Sequence, residues 1–197
     1  ISAGVTANTI LFAASAGAPG VNVNTNAGAI NLTAPSLNID PAAVAITVVG
    51  NRGNGGTAVL TATNGALAVS GSLSASAGTL AGNGGRIDLI SNSGAAFQYN
   101  NGAAPFNGIN GNASAAAGSI QGNGGTILVR NNLAVGITVG AAATFNVSNA
   151  SLLGQTAGTV TLDAGNGALT INAPTISTTP FIGNGGTINL TGSSITG

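Results

Sequence analysis

Six short segments alternate between apolar and polar positions. They read Ala29-Ile30-Asn31-Leu32-Thr33, Thr57-Ala58-Val59-Leu60-Thr61, Arg86-Ile87-Asp88-Leu89-Ile90, Thr126-Ile127-Leu128-Val129-Arg130, Thr159-Val160-Thr161-Leu162-Asp163 and Thr187-Ile188-Asn189-Leu190-Thr191. The second position is always apolar (Ile30, Ala58, Ile87, Ile127, Val160, Ile188), and so is the fourth (Leu32, Leu60, Leu89, Val129, Leu162, Leu190). The odd positions are mostly polar and hold every charge in these segments. A period of two predicts strands with one buried face. Glycines interrupt too often, and no 3.6-residue period exists, for helix.

Each segment follows a glycine. The string Gly-Asn-Gly-Gly occurs four times, ending at Gly56, Gly85, Gly125 and Gly186, and degenerate copies end at Gly28 and Gly158. Successive closing glycines are 28, 29, 40, 33 and 28 residues apart, a period of about 28 with two enlarged repeats. About ten residues on comes a second apolar pair: Leu37/Ile39, Leu67/Val69, Phe97/Tyr99, Val135/Ile137 and Leu169/Ile171. A weaker third set follows at Ile46/Val48, Leu73/Ala75, Phe145/Val147 and Ile176, and an apolar residue returns before the glycines at Leu80, Ile120, Leu153 and Phe181. Internal repetition of this kind predicts a right-handed parallel β-helix, a single β-solenoid domain over residues 1–197. About seven coils of roughly 28 residues, with three short strands each, fit the length. An antiparallel sandwich needs hairpins between consecutive strands and leaves the one-period recurrence unexplained.

The core stripe is then Ile30, Leu32, Leu60, Ile87, Leu89, Ile127, Val129, Val160, Leu162, Ile188 and Leu190. Asn54, Asn83, Asn123 and Asn184 of the glycine motif stack at one corner, where Asn and Gly tolerate sharp turns and Asn side chains can bond between coils. No Lys or following helix makes the motif a phosphate loop, and the repeated Asp of calcium-binding β-rolls is missing.

Repeats of the form Gly-Asn-Gly-Gly-Thr-Ile-Xaa-Leu-Thr, followed by Gly-Ala-Leu and Ser/Thr/Ala-rich turns, resemble the filamentous-haemagglutinin-like β-helical repeats of very large bacterial surface proteins. The resemblance covers nearly the whole chain. It implies an extracellular or cell-surface location and a structural or adhesive role.

Composition narrows the chemistry. Charged residues are 3% of the chain, with three Lys or Arg and three Asp or Glu, and His, Cys, Met and Trp are absent. That inventory excludes a Ser-His-Asp triad, a cysteine nucleophile and zinc sites with nitrogen or sulfur ligands. It also leaves too little positive charge for nucleic-acid binding. Apolar runs are too short for membrane insertion. No cofactor is expected, and Asp88 and Asp163 fall two repeats apart, with Asp40 on another strand, so no carboxylate pair suits glycoside chemistry.

Arg130 and Asp163 share the fifth position of successive repeats, which predicts an ion pair between coils. Arg86 and Asp88 lie two apart on an outer strand face. Thr57, Thr126, Thr159 and Thr187 form an outward column, broken by Arg86, of the type that could bind ice. Phe97, Tyr99, Phe106 and Phe145 sit in the enlarged repeats, read either as bulges making lateral or carbohydrate contacts or as plugs of a widened core. Neither end shows a cap, and joining the last 11 residues to the first 28 makes a coil of 39, near the 40 already present. The expected partner is the chain itself, stacked head to tail in a filament or continuing in a longer polypeptide. The expected role is therefore a structural element of an extracellular bacterial fibre, ahead of an adhesin shaft for surfaces or carbohydrate and of ice binding.

Overall fold

A computed structural model describes residues 11–13, 27–47, 53–101, 107–172 and 174–197. The described residues are all β, without helix. The strands are β1 (Leu11–Ala13), β2 (Ala29–Ala34), β3 (Leu37–Thr47), β4 (Thr57–Ala62), β5 (Leu67–Ser74), β6 (Arg86–Ser91), β7 (Phe97–Tyr99), β8 (Gly108–Ile109), β9 (Ala113–Ser114), β10 (Thr126–Asn131), β11 (Ile137–Val139), β12 (Thr144–Asn146), β13 (Thr159–Asp163), β14 (Ala168–Ile171), β15 (Thr175–Ser177), β16 (Thr187–Thr191) and β17 (Ser194–Thr196). They form two parallel sheets, consistent with a β-solenoid.

The first sheet has the order β2-β4-β6-β10-β13-β16, each strand pairing in parallel with the equivalent strand one repeat away. Its register aligns Ile30, Ala58, Ile87, Ile127, Val160 and Ile188 in one row, and Leu32, Leu60, Leu89, Val129, Leu162 and Leu190 in another. From Ala58 to Leu162 both rows are at most 1% exposed. Each buried Ile, Leu or Val side chain in these rows contributes about 1.5–3 kcal/mol by leaving water. The end rows differ. Ile188 and Leu190 keep the register but are 44% and 38% exposed, since among the described residues β16 pairs only with β13.

The second sheet runs β3-β5-β8-β7-β11-β14-β17 along one path, and β5-β9-β12-β15 along another. The paths join because β3 and β5 are long enough to serve as second and third strands together. Here the sequence reading needs one correction. Ile137 and Val139, not Val135 and Ile137, pair with Phe97 and Tyr99 below and with Leu169 and Ile171 above. Val135 is 40% exposed; a turn before Gly136 takes up two residues that plain spacing had assigned to strand. The apolar residues just before the glycine motif lie outside the core. Ile120, Leu153 and Phe181 face solvent at 46%, 62% and 67% exposure, since the turn there points outward.

The 40-residue repeat does not simply bulge. Its chain forms β7 and then returns to insert β8 between β5 and β7, parallel to both. Gln98 pairs with Gly108 and Tyr99 with Ile109. Parallel neighbours usually need a longer crossover than the residues between β7 and β8. The tightness shows at Gly108, with φ +145°, where a Cβ would stand 1.9 Å from the Gln98 carbonyl oxygen. Between β4 and β10 the first sheet therefore holds one strand, whereas between β5 and β11 the second holds two. At about 4.8 Å per strand, one side gains a layer that the other lacks.

Buried polar groups fill the step. Asn107 Oδ1 accepts from Ser91 Oγ at 2.7 Å and from the Leu67 N–H at 3.1 Å, while its Nδ2 donates to the Ala95 carbonyl at 2.8 Å. Asn131 Nδ2 donates to the carbonyls of Gly136 at 3.1 Å and Ala95 at 3.3 Å. Ser91 and Asn131 occupy the inward sixth position that Ala62 and Ala164 hold elsewhere, so the core turns polar where the two sheets lose step.

Candidate functional site

The corner motif is built from side chain and backbone together. Asn54 Oδ1 accepts the N–H of Asn83 at 2.8 Å, Asn83 Oδ1 that of Asn123 at 2.8 Å, and Asn123 Oδ1 that of Thr156 at 3.0 Å. In the other direction the N–H groups of Gly55, Gly84 and Gly124 donate to the carbonyls of Asn83, Asn123 and Thr156 at 2.9, 2.8 and 2.9 Å. Each Asn side chain thus acts as an extra carbonyl, continuing the parallel ladder around a corner where the main chain turns away. Thr156 lacks the reach to continue it, and Gln155 contributes instead, its Oε1 accepting from the N–H of Gly122. Asn184 joins the corner through its own carbonyl, which accepts from Ala157 at 3.1 Å.

Glycine follows each Asn for a steric reason. At Gly84 a Cβ would lie 1.9 Å from the Ala115 carbonyl oxygen and 2.5 Å from the Gly125 nitrogen, and Gly55 and Gly124 are equally crowded. Gly185 occupies the same place at the last corner and has open space on that side.

On the outer face of the first sheet, Thr57, Arg86, Thr126, Thr159 and Thr187 stand in one column. Arg130 Nε donates to Asp163 Oδ2 at 2.8 Å, with side chains 42% and 20% exposed. Arg86 Nε donates to Asp88 Oδ1 and Oδ2 at 2.9 and 2.8 Å, and its Nη2 also meets Oδ2. Asp88 faces outward, yet its side chain is only 5% exposed, lying in register between Val59 and Leu128 and under the Arg86 guanidinium. Hydrogen bonding to Asp88, then that carboxylate's charge, holds the Arg86 guanidinium above its ordinary pKa. Among the described residues no group of three acidic or other metal-ligating side chains gathers. Asp88 and Asp163 belong to β6 and β13, with β10 between them.

The aromatic residues are corrected by their burial. Phe97, Tyr99 and Phe145 are 0% exposed and cannot make lateral contacts; they plug the widened interior beside β8. Tyr99 and Phe145 rings lie 4.3 Å apart, tilted by 34°. Phe106 lies outside the described residues. Among the described residues the Tyr99 hydroxyl has no hydrogen-bond partner, and burial drives its pKa upward. Missed in the sequence was β8 itself. Its signal was present: Ile109 and Ala113 repeat the four-residue spacing of Val69 and Leu73, which they cover.

Two other surfaces stand out. One is an outward row of apolar residues at the turn before the corner, with Ile120, Leu152, Leu153, Phe181 and Ile182 between 46% and 67% exposed. Beside it lies a shallow cleft of about 230 Å³ lined by Ser148, Asn149, Ala150, Thr179, Pro180 and Phe181. The other is the face beyond β16 and β17. There every residue of both strands is exposed, and Ile188, Leu190 and Ile195 extend the interior rows into solvent. No protein-family model, curated protein or solved structure matches the chain.

Proposed function

We propose that the chain is a structural subunit or segment of an extracellular bacterial fibre, a right-handed parallel β-helix of about seven coils of roughly 28 residues with three short strands each. Its function on this reading is mechanical. Backbone hydrogen bonds run along the axis, a largely apolar interior resists shear between coils, and the Asn corner ladder sets register. The observation that carries the reading is the stack itself: six equivalent strands, β2 to β16, pair in parallel with both inward rows in register. A neighbour paired to β16 and β17 would bury Ile188, Leu190 and Ile195 and satisfy a row of free backbone groups, whereas an edge left open is an aggregation liability. The covering coil comes from a second copy stacked head to tail or from more of the same polypeptide; an open contact of this kind propagates without closing. A chain with 3% charged residues suits close packing better than free solution.

Negative-stain imaging of purified protein, with mass measurement under denaturing conditions, tests it. Fibres that dissolve into chains near 18.4 kDa are the outcome expected of a stacked subunit, and fibres of one much longer chain that of a segment. Monodisperse short rods that resist association at any concentration overturn both.

A further inference from the structure

An asparagine followed by glycine can convert without an enzyme. The deprotonated glycine nitrogen attacks the asparagine Cγ, a five-membered succinimide forms, and the side-chain nitrogen leaves as ammonia. Water then opens the ring at either carbonyl, giving aspartate or isoaspartate. Glycine, without Cβ, crowds this attack least. The step needs a glycine nitrogen and an asparagine side chain that are both free to turn toward each other.

Exposure does not rank the Asn-Gly pairs, because Asn64, Asn83, Asn123 and Asn166 all face solvent. Hydrogen bonding does. At the corners the N–H groups of Gly55, Gly84 and Gly124 donate to carbonyls of the next repeat at 2.9, 2.8 and 2.9 Å. The Oδ1 atoms of Asn54, Asn83 and Asn123 accept from that same repeat, so both reacting groups are tied. Asn107 is buried, with Oδ1 and Nδ2 both bonded. Asn110 is clamped by its main chain, donating to the Val69 carbonyl at 2.8 Å and accepting from the Gly71 N–H at 3.1 Å. The Gly167 N–H donates to the Ala164 carbonyl at 2.9 Å, which ties one reacting atom of the Asn166 pair.

Asn64-Gly65 lies in the turn between β4 and β5, inside the stack. The Asn64 N–H donates to the Pro35 carbonyl of one neighbouring coil at 3.0 Å. From the other neighbour Asn92 Nδ2 donates to the Thr63 carbonyl at 2.8 Å. Beside those anchors, among the described residues, neither the Asn64 side chain nor the Gly65 N–H has a hydrogen-bond partner. Coils on both sides leave this pair free, so its freedom belongs to the turn.

We propose that Asn64-Gly65 is a spontaneous modification site of the folded chain, converting ahead of Asn83, Asn123 and Asn166. Conversion puts a carboxylate on an exposed turn of a chain whose formal net charge is zero. Aspartate leaves the main chain as it was. Isoaspartate adds a methylene between two fixed points, the Asn64 N–H and the Ala66 carbonyl, which accepts from the Leu37 N–H at 2.9 Å. The turn has no slack toward the neighbouring coil, where a Cβ at Gly65 would meet Ser36 Oγ. Isoaspartate therefore loosens the turn, and aspartate does not.

Peptide mapping by mass spectrometry, on chains incubated in mildly alkaline buffer with and without guanidinium chloride, tests the site. In denaturant local sequence alone acts, and each pair supplies its own unfolded rate. Folding should slow Asn83 and Asn123 at least roughly tenfold, the factor equivalent to opening a hydrogen bond of about 1.4 kcal/mol, and leave Asn64 near its unfolded rate. Asn166 should fall between them. Slowing of Asn64 as large as that of Asn83 overturns the site. Anion exchange of the native chain should show a species with one more negative charge, absent from Asn64→Gln, whose ring would need six members. The same species growing equally fast in Asn64→Gln also overturns it. Of the converted chains, the isoaspartate form should melt below the aspartate form, and equal melting overturns the loosening of the turn.

Discussion

The backbone N–H of Asn123 donates to the side-chain Oδ1 of Asn83, forty residues earlier, at 2.8 Å. The same relation recurs between Asn83 and Asn54 at 2.8 Å. Asn83→Ala removes the acceptor and should destabilise the fold by about 0.5–1.5 kcal/mol, the net worth of one such bond. Asn83→Asp keeps an acceptor oxygen at that place and should cost less. Urea unfolding midpoints of the two variants check the order.

Gly84 and Gly185 occupy the same place in the motif but differ in what lies above them. A methyl at Gly84 meets the Ala115 carbonyl oxygen at 1.9 Å, so Gly84→Ala should destabilise by about 3 kcal/mol or more. Gly185→Ala meets nothing within 4 Å and should leave the thermal midpoint of the dispersed chain unchanged. On the stacking reading it should nevertheless abolish fibre growth from that end, because the added coil would bring its own carbonyl to the methyl. Normal growth by Gly185→Ala counts against head-to-tail stacking.

Tyr99 is fully buried with an unpartnered hydroxyl. Tyr99→Phe keeps the ring contact with Phe145 and should stabilise by about 1–3 kcal/mol, the cost of an unsatisfied buried polar group. Burial disfavours the tyrosinate, so the folded pKa lies above the ordinary 10.0 and the unfolded chain releases its proton first. Stability on this account is fully present below pH 10.0 and is lost as pH rises above it. The chain has one Tyr and no Trp, so tyrosinate absorbance reports this residue alone. Absorbance should appear together with unfolding, and Tyr99→Phe should remove this part of the alkaline sensitivity.

The two ion pairs should respond differently to mutation. Arg130 and Asp163 are partly exposed, so a double-mutant cycle should return at most about 1 kcal/mol, most of it lost in molar salt. Asp88 is nearly buried, and Arg86→Ala strands its carboxylate between Val59 and Leu128. That single change should cost about 1–3 kcal/mol or more. Arg86→Thr combined with Asp88→Val matches the flanking columns of Thr57, Thr126, Val59 and Leu128, and should recover most of the loss. Denaturant titration of all variants in low and high salt measures both effects.

Strand positions in the first sheet were legible because one local rule governs them: a two-residue period with Ile, Val, Ala or Leu at fixed places after a glycine. Ile87 over Ala58 and Leu89 over Leu60 follow once equivalent strands stack in parallel. The second sheet was less legible. Val135 carries the right side chain in the wrong place, since nothing local says that a turn ends at Gly136 instead of before it. Asp88, polar and outward by periodicity, is buried by neighbours contributed from β4 and β10 and by Arg86.

By itself the chain determined the all-β character, the period and which side chains face inward in the first sheet, because alternation and turn chemistry act over a few residues. Tertiary structure decided that β8 slips between β5 and β7, and that Phe97, Tyr99 and Phe145 plug the interior beside it. Those outcomes depend on which strand lies above which. Contacts between residues 30 or 40 apart settle that order, and no short window of sequence contains them.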